Sequence, residues 1–282
     1  MIKIEIAKML QGSQGEMELA VSLEIKEGEF LALSGKSGSG KTTLLRILAG
    51  LEKAKGEIIV GDTVWLSKRN SLSPQKRKIA YVFQDYALFP NMTVEENLLY
   101  VNSDLSLAQS LLEMTELADM KHRMPNTLSG GQQQRVSMCR AMMNRPRLLL
   151  MDEPLSALDP AMRSKLQHEI LKMHKAFGTT TIMVSHDPSE MYRLASRVVI
   201  LEQGKIVNDG NPKEILLKTQ GSQKFSFEGE LLEISKVDVI YVAIVSIGQQ
   251  LVEVVVSSDE AKYLQIGQKV TVSTKAFAPM IV

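Results

Sequence analysis

The sequence has 282 residues and a single cysteine, Cys139, so no disulfide can form within the chain. No apolar run approaches the roughly 20 residues needed to span a bilayer. The start, MIKIEIAKML, lacks the basic opening and long apolar run of a signal peptide. Together these absences lead to the expectation of a reducing, cytosolic compartment, with any membrane role exercised through a partner. Surplus charge is absent as well: 33 Lys and Arg face 32 Asp and Glu, leaving +1 with His neutral. Such a balance gives no reason to expect nucleic acid or an anionic membrane surface as a partner. What remains is ordinary for a globular chain, 44% apolar and 23% charged, long enough for one large domain or two smaller ones.

Strands are legible from periodicity. IKIEI (2–6) and LAVSLEI (19–25) alternate apolar with polar residues and read as half-buried strands, paired antiparallel. FLALS, IAYVF, LLLMD and TTIMVS are short continuous apolar runs, suited to a parallel sheet covered on both faces. Helical patterns lie between them: KTTLLRILAG, TVEENLLYV, SLAQSLLEMT, GQQQRVSMCRAMM and RSKLQHEILKMHKAF. The alternation predicts an α/β sandwich. The character changes at QGSQ (220–223), a linker-like stretch, beyond which VDVIYVAIV, LVEVVVS and QKVTVST predict a small, separate all-β domain. The expected division is 1–220 and 224–282. Cys139 and Trp65 read as packing residues, and SPQKRK, with Lys76, Arg77 and Lys78, as a solvated loop.

The chemistry concentrates in three places. GKSGSGKT (35–42) fits G-x-x-x-x-G-K-[ST], between the strand FLALS and a helix. Gly35, Gly38 and Gly40 permit turns that aim backbone N–H groups at phosphate oxygens. The helix start adds donors and partial positive charge, Lys41 adds a full charge, and the Thr42 hydroxyl suits Mg²⁺. In LLLMDE, a buried strand delivers Asp152 and Glu153 at its carboxyl end, where open α/β sheets bind ligands. Asp152 is expected to hold Mg²⁺ through its water shell, and Glu153 to orient or deprotonate an attacking water. A P-loop by itself leaves kinases, GTPases, motor ATPases and transporters open. LSGGQQQR (128–135) narrows the choice: Ser129 at a cap position and two glycines begin a second anion-binding helix, without a lysine. Such a second cradle makes sense if it closes over nucleotide held by another subunit.

The order of these motifs resembles the ATP-binding subunit of an ABC transporter, over about residues 1–220. The resemblance rests on the P-loop at 35–42, Gln84 in VFQD, LSGGQ at 128–132, Asp152 and Glu153, SALD at 156–159 and His186 in VSHD. It implies a P-loop ABC ATPase sandwich with N-terminal antiparallel strands and a helical subdomain, then a small C-terminal OB-like regulatory domain of the TOBE/Mop type. It implies ATP and Mg²⁺ as ligands, with Gly35, Lys36, Ser37, Gly38, Ser39, Gly40, Lys41, Thr42 and Thr43 around the nucleotide. Thr42, Gln84 and Asp152 would serve the metal, and Glu153, His186 and Gln84 the attacking water. Ser129, Gly130, Gly131 and Gln132 would meet the nucleotide of the opposite subunit, with Asp159 linking the two sites, so that two ATP molecules lie between the chains of a homodimer.

One feature departs from the family, which usually stacks an aromatic ring on adenine. The loop AKMLQGSQGEME has no Phe, Tyr, Trp or His, and Met9 or Leu10 offers only an apolar surface. Weak base recognition and tolerance of GTP are the expectation. YALFPNMTVEENLLY resembles the importer segment that accepts a short helix of the membrane subunit, with Phe89, Pro90 and Met92 as its apolar contacts. The implied partners are two membrane-spanning permease subunits and a periplasmic or lipoprotein solute-binding protein, at the cytoplasmic face of the inner membrane. RKIAYVFQDYALFPNMTVEENL, GDTVWL and VTVSTKAFAPMIV look most like a molybdate or tungstate importer ATPase; sulfate, ferric-iron and polyamine importers remain alternatives. Ser273, Thr274 and Lys275 are candidates to contact a regulatory oxyanion. Against a DNA-repair or chromosome ATPase stands the lack of a long heptad insertion between the P-loop and LSGGQ. Against a regulatory module without turnover stand Glu153 and His186.

Overall fold

The computed structural model describes residues 1–12, 15–156, 158–217, 224–237, 240–247 and 250–275. The chain divides into two compact units, Met1–Leu217 and Lys218–Val282.

In the first unit, β1 (Ile2–Gly12) and β2 (Gly15–Ile25) pair antiparallel from Ile2 opposite Ile25 to Gly12 opposite Gly15. The segment read as a base-binding loop is therefore a hairpin, because the ladder continues to its tip. β3 (Phe30–Ser34) leads into α1 (Lys41–Ala49). β4 (Lys55–Val60) and β5 (Thr63–Leu66), which the apolar patterns did not single out, complete a four-stranded sheet in the order β2-β1-β4-β5. β6 (Ile79–Val82) precedes a helical layer of α2 (Val94–Leu99), α3 (Leu105–Met114) and α4 (Gly130–Met142). Then follow β7 (Leu148–Asp152), α5 (Pro160–Phe177), β8 (Thr180–Val184), α6 (Pro188–Leu194), β9 (Arg197–Glu202), β10 (Lys205–Gly210) and α7 (Pro212–Leu216).

The second sheet has six strands in the order β10-β9-β3-β8-β7-β6. All neighbours are parallel except β10 on β9. Its continuous apolar strands feed two cores, because alternate side chains leave opposite faces. Leu148 and Leu150 of β7 join β1, β2 and α1 in one core; Leu149 and Met151 join α2 to α5 in the other. The α/β expectation holds, and Cys139 lies buried in the second core.

Arg77 corrects the reading of SPQKRK as a solvated loop. It is 3% exposed. Its Nη1 donates to the carbonyls of Ile47 and Leu48 at 2.7 Å, its Nε to Leu72 O at 2.9 Å and its Nη2 to Trp65 O at 3.2 Å. The guanidinium also lies over the buried Trp65 ring, 5.6 Å from its centroid. The guanidinium thus supplements the Gly50 N–H on the Ile47 carbonyl and donates to the Leu48 carbonyl at the end of α1.

In the second unit, β11 (Lys224–Val237), β12 (Ile240–Ile247), β13 (Gln250–Val256) and β14 (Lys269–Lys275) build an antiparallel sheet in the order β13-β12-β11-β14, with the short α8 (Ser258–Ala261) between β13 and β14. Leu231, Ala243 and Val245 form its small core. This all-β unit is consistent with the OB-like domain expected. The linker at 220–223, the end of the chain past 275 and the side chains of Ser273, Thr274 and Lys275 lie outside the described residues. Among the described residues no helix is long and apolar enough to cross a membrane.

Candidate functional site

β3, β6, β7 and β8 run parallel, so the segments that follow them collect at one edge of the sheet, where ligands of α/β folds bind. After β3 the chain makes the glycine loop. Gly35 has φ +143°, and a Cβ there would sit 2.0 Å from Leu201 O, so only glycine fits. Gly40 caps α1 in the left-handed region, with no side chain bonded to the helix start. Its first N–H groups therefore stay open to a ligand. Lys41 Nζ donates to Gly35 O at 2.7 Å and Lys36 O at 3.0 Å. Burial lowers the Lys41 pKa from its ordinary value, opposed by the charges of Glu153 and Asp152. Ser39 is buried, and its hydroxyl has no hydrogen-bond partner among the described residues.

A cavity of about 650 Å³ opens over this loop. Gly35, Lys36, Ser37, Gly38, Gly40, Lys41, Thr42 and Thr43 line it, with Glu153, His186 and the hairpin residues Leu10, Gln11 and Met17. Leu10 and Met17 are cross-strand partners, and together they give the cavity an apolar patch without a ring. Met9, one residue off in a strand that alternates faces, is 58% exposed and does not line it.

Asp152 ends β7 between two hydroxyls. Thr42 Oγ1 donates to its Oδ1 at 3.2 Å and the Tyr81 phenol to its Oδ2 at 3.1 Å. Burial, then the charge of Asp152, pushes the Tyr81 pKa up, so it stays a neutral donor. Among the described residues no group of three His, Cys, Asp or Glu side chains could hold a metal unaided. A hydroxyl and a carboxylate fit Mg²⁺, which takes few protein oxygens and completes its shell with phosphates and water. Glu153 follows with φ +48°, a conformation costly outside glycine. It is held there because its N–H donates to Val184 O at 3.2 Å and its carbonyl accepts from Ser156 Oγ at 2.9 Å. His186 Nδ1 stands 3.7 Å from Glu153 Oε2.

The remaining expected residues lie elsewhere. Gln84 is exposed just past β6, and Asp159 caps α5 by accepting from Met162 N–H at 2.9 Å. Ala157 of SALD is outside the described residues. Ser129 caps α4: its Oγ accepts from Gln132 N–H at 3.4 Å, while Gln132 Oε1 accepts from Ser129 N–H at 2.9 Å. A Cβ on Gly130 or Gly131 would meet Tyr86 Oη at 2.9 Å or Met162 Sδ at 2.8 Å. Neither Gln84, Asp159 nor any of 129–132 lines the cavity. Sequence reasoning missed Tyr81, Gln11 and Met17. The Leu10–Met17 pair could have been found by running the hairpin register to its turn, whereas Tyr81 depends on which strand lies beside β7.

A parallel sheet that presents a glycine loop, a buried lysine and a Thr–Asp pair at one edge is a P-loop nucleotide-binding domain. The ABC transporter family matches residues 19–156. A spermidine/putrescine import ATP-binding protein of Bacillus anthracis is 42% identical over 238 residues, covering 81% of this chain and 71% of that protein. An Fe(3+) ions import ATP-binding protein of Rhizobium meliloti is 45% identical over 204 residues, covering 69% of this chain and 51% of that protein. Among solved structures, the ATP-binding cassette MJ0796, a dimer in a post-hydrolysis state bound to ADP and phosphate, superposes with a TM-score of 0.64. It is 31% identical and covers 75% of this chain and 99% of its own. The chain belongs to the ABC transporter family, as an ATP-binding subunit.

Proposed function

We propose that this chain hydrolyses ATP as the energising subunit of a bacterial importer and works as a homodimer. The supporting observation is a division of labour. One cavity gathers the glycine loop, Lys41, Thr42, Glu153 and His186, with Asp152 bonded to Thr42, while the second glycine-led helix start at Ser129 lies outside it. Mg²⁺ would be held by Thr42 and Asp152, with Gln84 joining once nucleotide is bound, and would screen triphosphate charge. The loop donors of 35–43 and Lys41 bind the phosphates. Glu153 takes the proton of the attacking water and His186 orients that water against the γ-phosphate. Ser129, Gly130, Gly131 and Gln132 complete the partner's pocket, and Asp159 joins the two sites. The nucleobase rests on Leu10 and Met17, so GTP competes well with ATP.

The unit at 224–282 serves as the C-terminal TOBE/Mop-type regulatory domain. Phe89, Pro90 and Met92 belong to the surface that receives a permease helix at the inner face of the membrane. Phe89 is already braced there. Its N–H and carbonyl are both bonded by the Asn97 amide, and its ring lies 4.7 Å from that of Tyr100. For the solute, the motif likeness supports molybdate or tungstate. The names of the similar chains favour the alternative, a polyamine or ferric iron.

The purified chain should hydrolyse ATP with a rate per chain that falls on dilution, as pairs separate. Full activity in separated protomers, or none at any concentration, would overturn the proposal. In complex with its permease, stimulation by a binding protein loaded with spermidine, Fe³⁺, sulfate or molybdate assigns the solute.

A further inference from the structure

Arg163, in the first turn of α5, reaches two pieces of chain around the site, the 158–159 segment and the 187–190 turn. Its N–H donates to Asp159 O at 2.9 Å, and its Nη2 donates to Leu158 O at 3.3 Å. Its Nη1 donates to Asp187 Oδ2 at 3.2 Å, and its Nε lies 3.5 Å from Glu190 Oε1. Glu190 is only 5% exposed. Its other oxygen accepts from Ser185 Oγ at 2.7 Å, and that hydroxyl accepts from the Asp187 N–H at 3.1 Å. His186 is the residue between Ser185 and Asp187. Its imidazole is 69% exposed and stands 3.7 Å from Glu153 Oε2. The ring is thus free while the backbone on both sides of it is fastened to a largely buried ion network. Glu153, Ser156, Arg163, His186 and Glu190 also border a void of about 10 Å³, barely the room of one water. The packing behind the ring leaves the turn little room to shift.

We propose that Arg163 is a positioning residue for hydrolysis. It ties the 158–159 segment, which faces the second protomer, to the turn that presents His186, so that pairing of the protomers and placement of His186 are one mechanical event. This rests on the roles of His186, Asp159 and the homodimer proposed above. Removing the guanidinium leaves Glu190 a buried carboxylate without its cation, an arrangement far costlier than the pair. The turn then loses its tether to α5, while the phosphate loop, on another strand, keeps its geometry.

The test is a double-mutant cycle of Arg163→Met and His186→Ala, reading kcat at saturating ATP and the binding of a fluorescent ATP analogue. Arg163→Met should lower kcat by about tenfold or more while analogue binding stays within about twofold. In the double variant kcat should be no lower than in His186→Ala alone, since Arg163 acts through that ring; a merely structural residue would multiply the two losses. The melting temperature is measured first. If Arg163→Met is unfolded at the assay temperature, Glu190→Gln, which breaks the same ion pair, carries the cycle. An unchanged kcat, or multiplicative losses in a parent chain that hydrolyses ATP, overturns the inference alone. A parent that does not hydrolyse ATP overturns the proposed function and the inference with it.

Discussion

α1 and α4 are both led by glycine, Gly40 before the one and Gly130 at the start of the other, yet they are finished differently. α1 is headed by Gly40 in the left-handed region with no side-chain cap, and Lys41 follows at once. α4 is headed by Ser129 in a reciprocal capping box with Gln132 and has no lysine. An uncapped helix start with a cation beside it is incomplete without an anion. A capped one is stable by itself, and its glycines give a bare backbone that another surface can approach closely. On the function proposed above, the same element, a helix N-terminus, serves as the principal cradle of one site and as a lid over the partner's.

Four substitutions would break or sharpen this comparison. Glu153→Gln, at the α1 pocket, should lower ATP turnover by about a hundredfold or more and leave ATP-bound pairs visible on size exclusion. Unchanged turnover would remove the base assignment. Arg77→Met removes the side-chain donors at the far end of α1, costing the Leu48 carbonyl its Arg77 bond and leaving the Ile47 carbonyl only the Gly50 N–H. A loss of about 2–3 kcal/mol is expected, seen as a lower denaturation midpoint at unchanged m. Ser129→Arg should reduce turnover by about tenfold, yet leave binding of an ATP analogue to separated protomers within about twofold. An equal loss of binding would mean that α4 serves its own chain's nucleotide. Leu10→Tyr, placing a ring beside Met17, should tighten nucleotide binding by roughly threefold, checked by competition of ATP and GTP against the analogue.

The readable parts of the site were those whose chemistry is contiguous in the chain. The run 35–42, the pair Asp152–Glu153 and His186 could each be found locally, because each ends a strand whose apolar run is itself a signal. Arg77 was not, since a lysine- and arginine-rich stretch looks solvated until α1 is laid across it and its last carbonyls need donors. The hairpin at 7–18 looked like a loop because polar residues occupy the exposed positions near its tip. Only the register from Ile2–Ile25 outward carries the ladder to Gly12–Gly15. Arg163 and Glu190 carry no motif of their own, and α5 and α6 must pack together before the two can pair.

Sequence alone determined the class of fold, the strand ends that bear chemistry and the presence of two glycine-led helix starts, because periodicity and backbone freedom are local properties. Tertiary structure decided which of those pieces share a cavity, that Tyr81 and Thr42 hold Asp152 from two sides, and that Arg163 is bonded to Asp187 after His186 and paired with Glu190, which accepts from Ser185 before it. Those facts depend on the order β10-β9-β3-β8-β7-β6, and no spacing along the chain encodes which strand lies beside which.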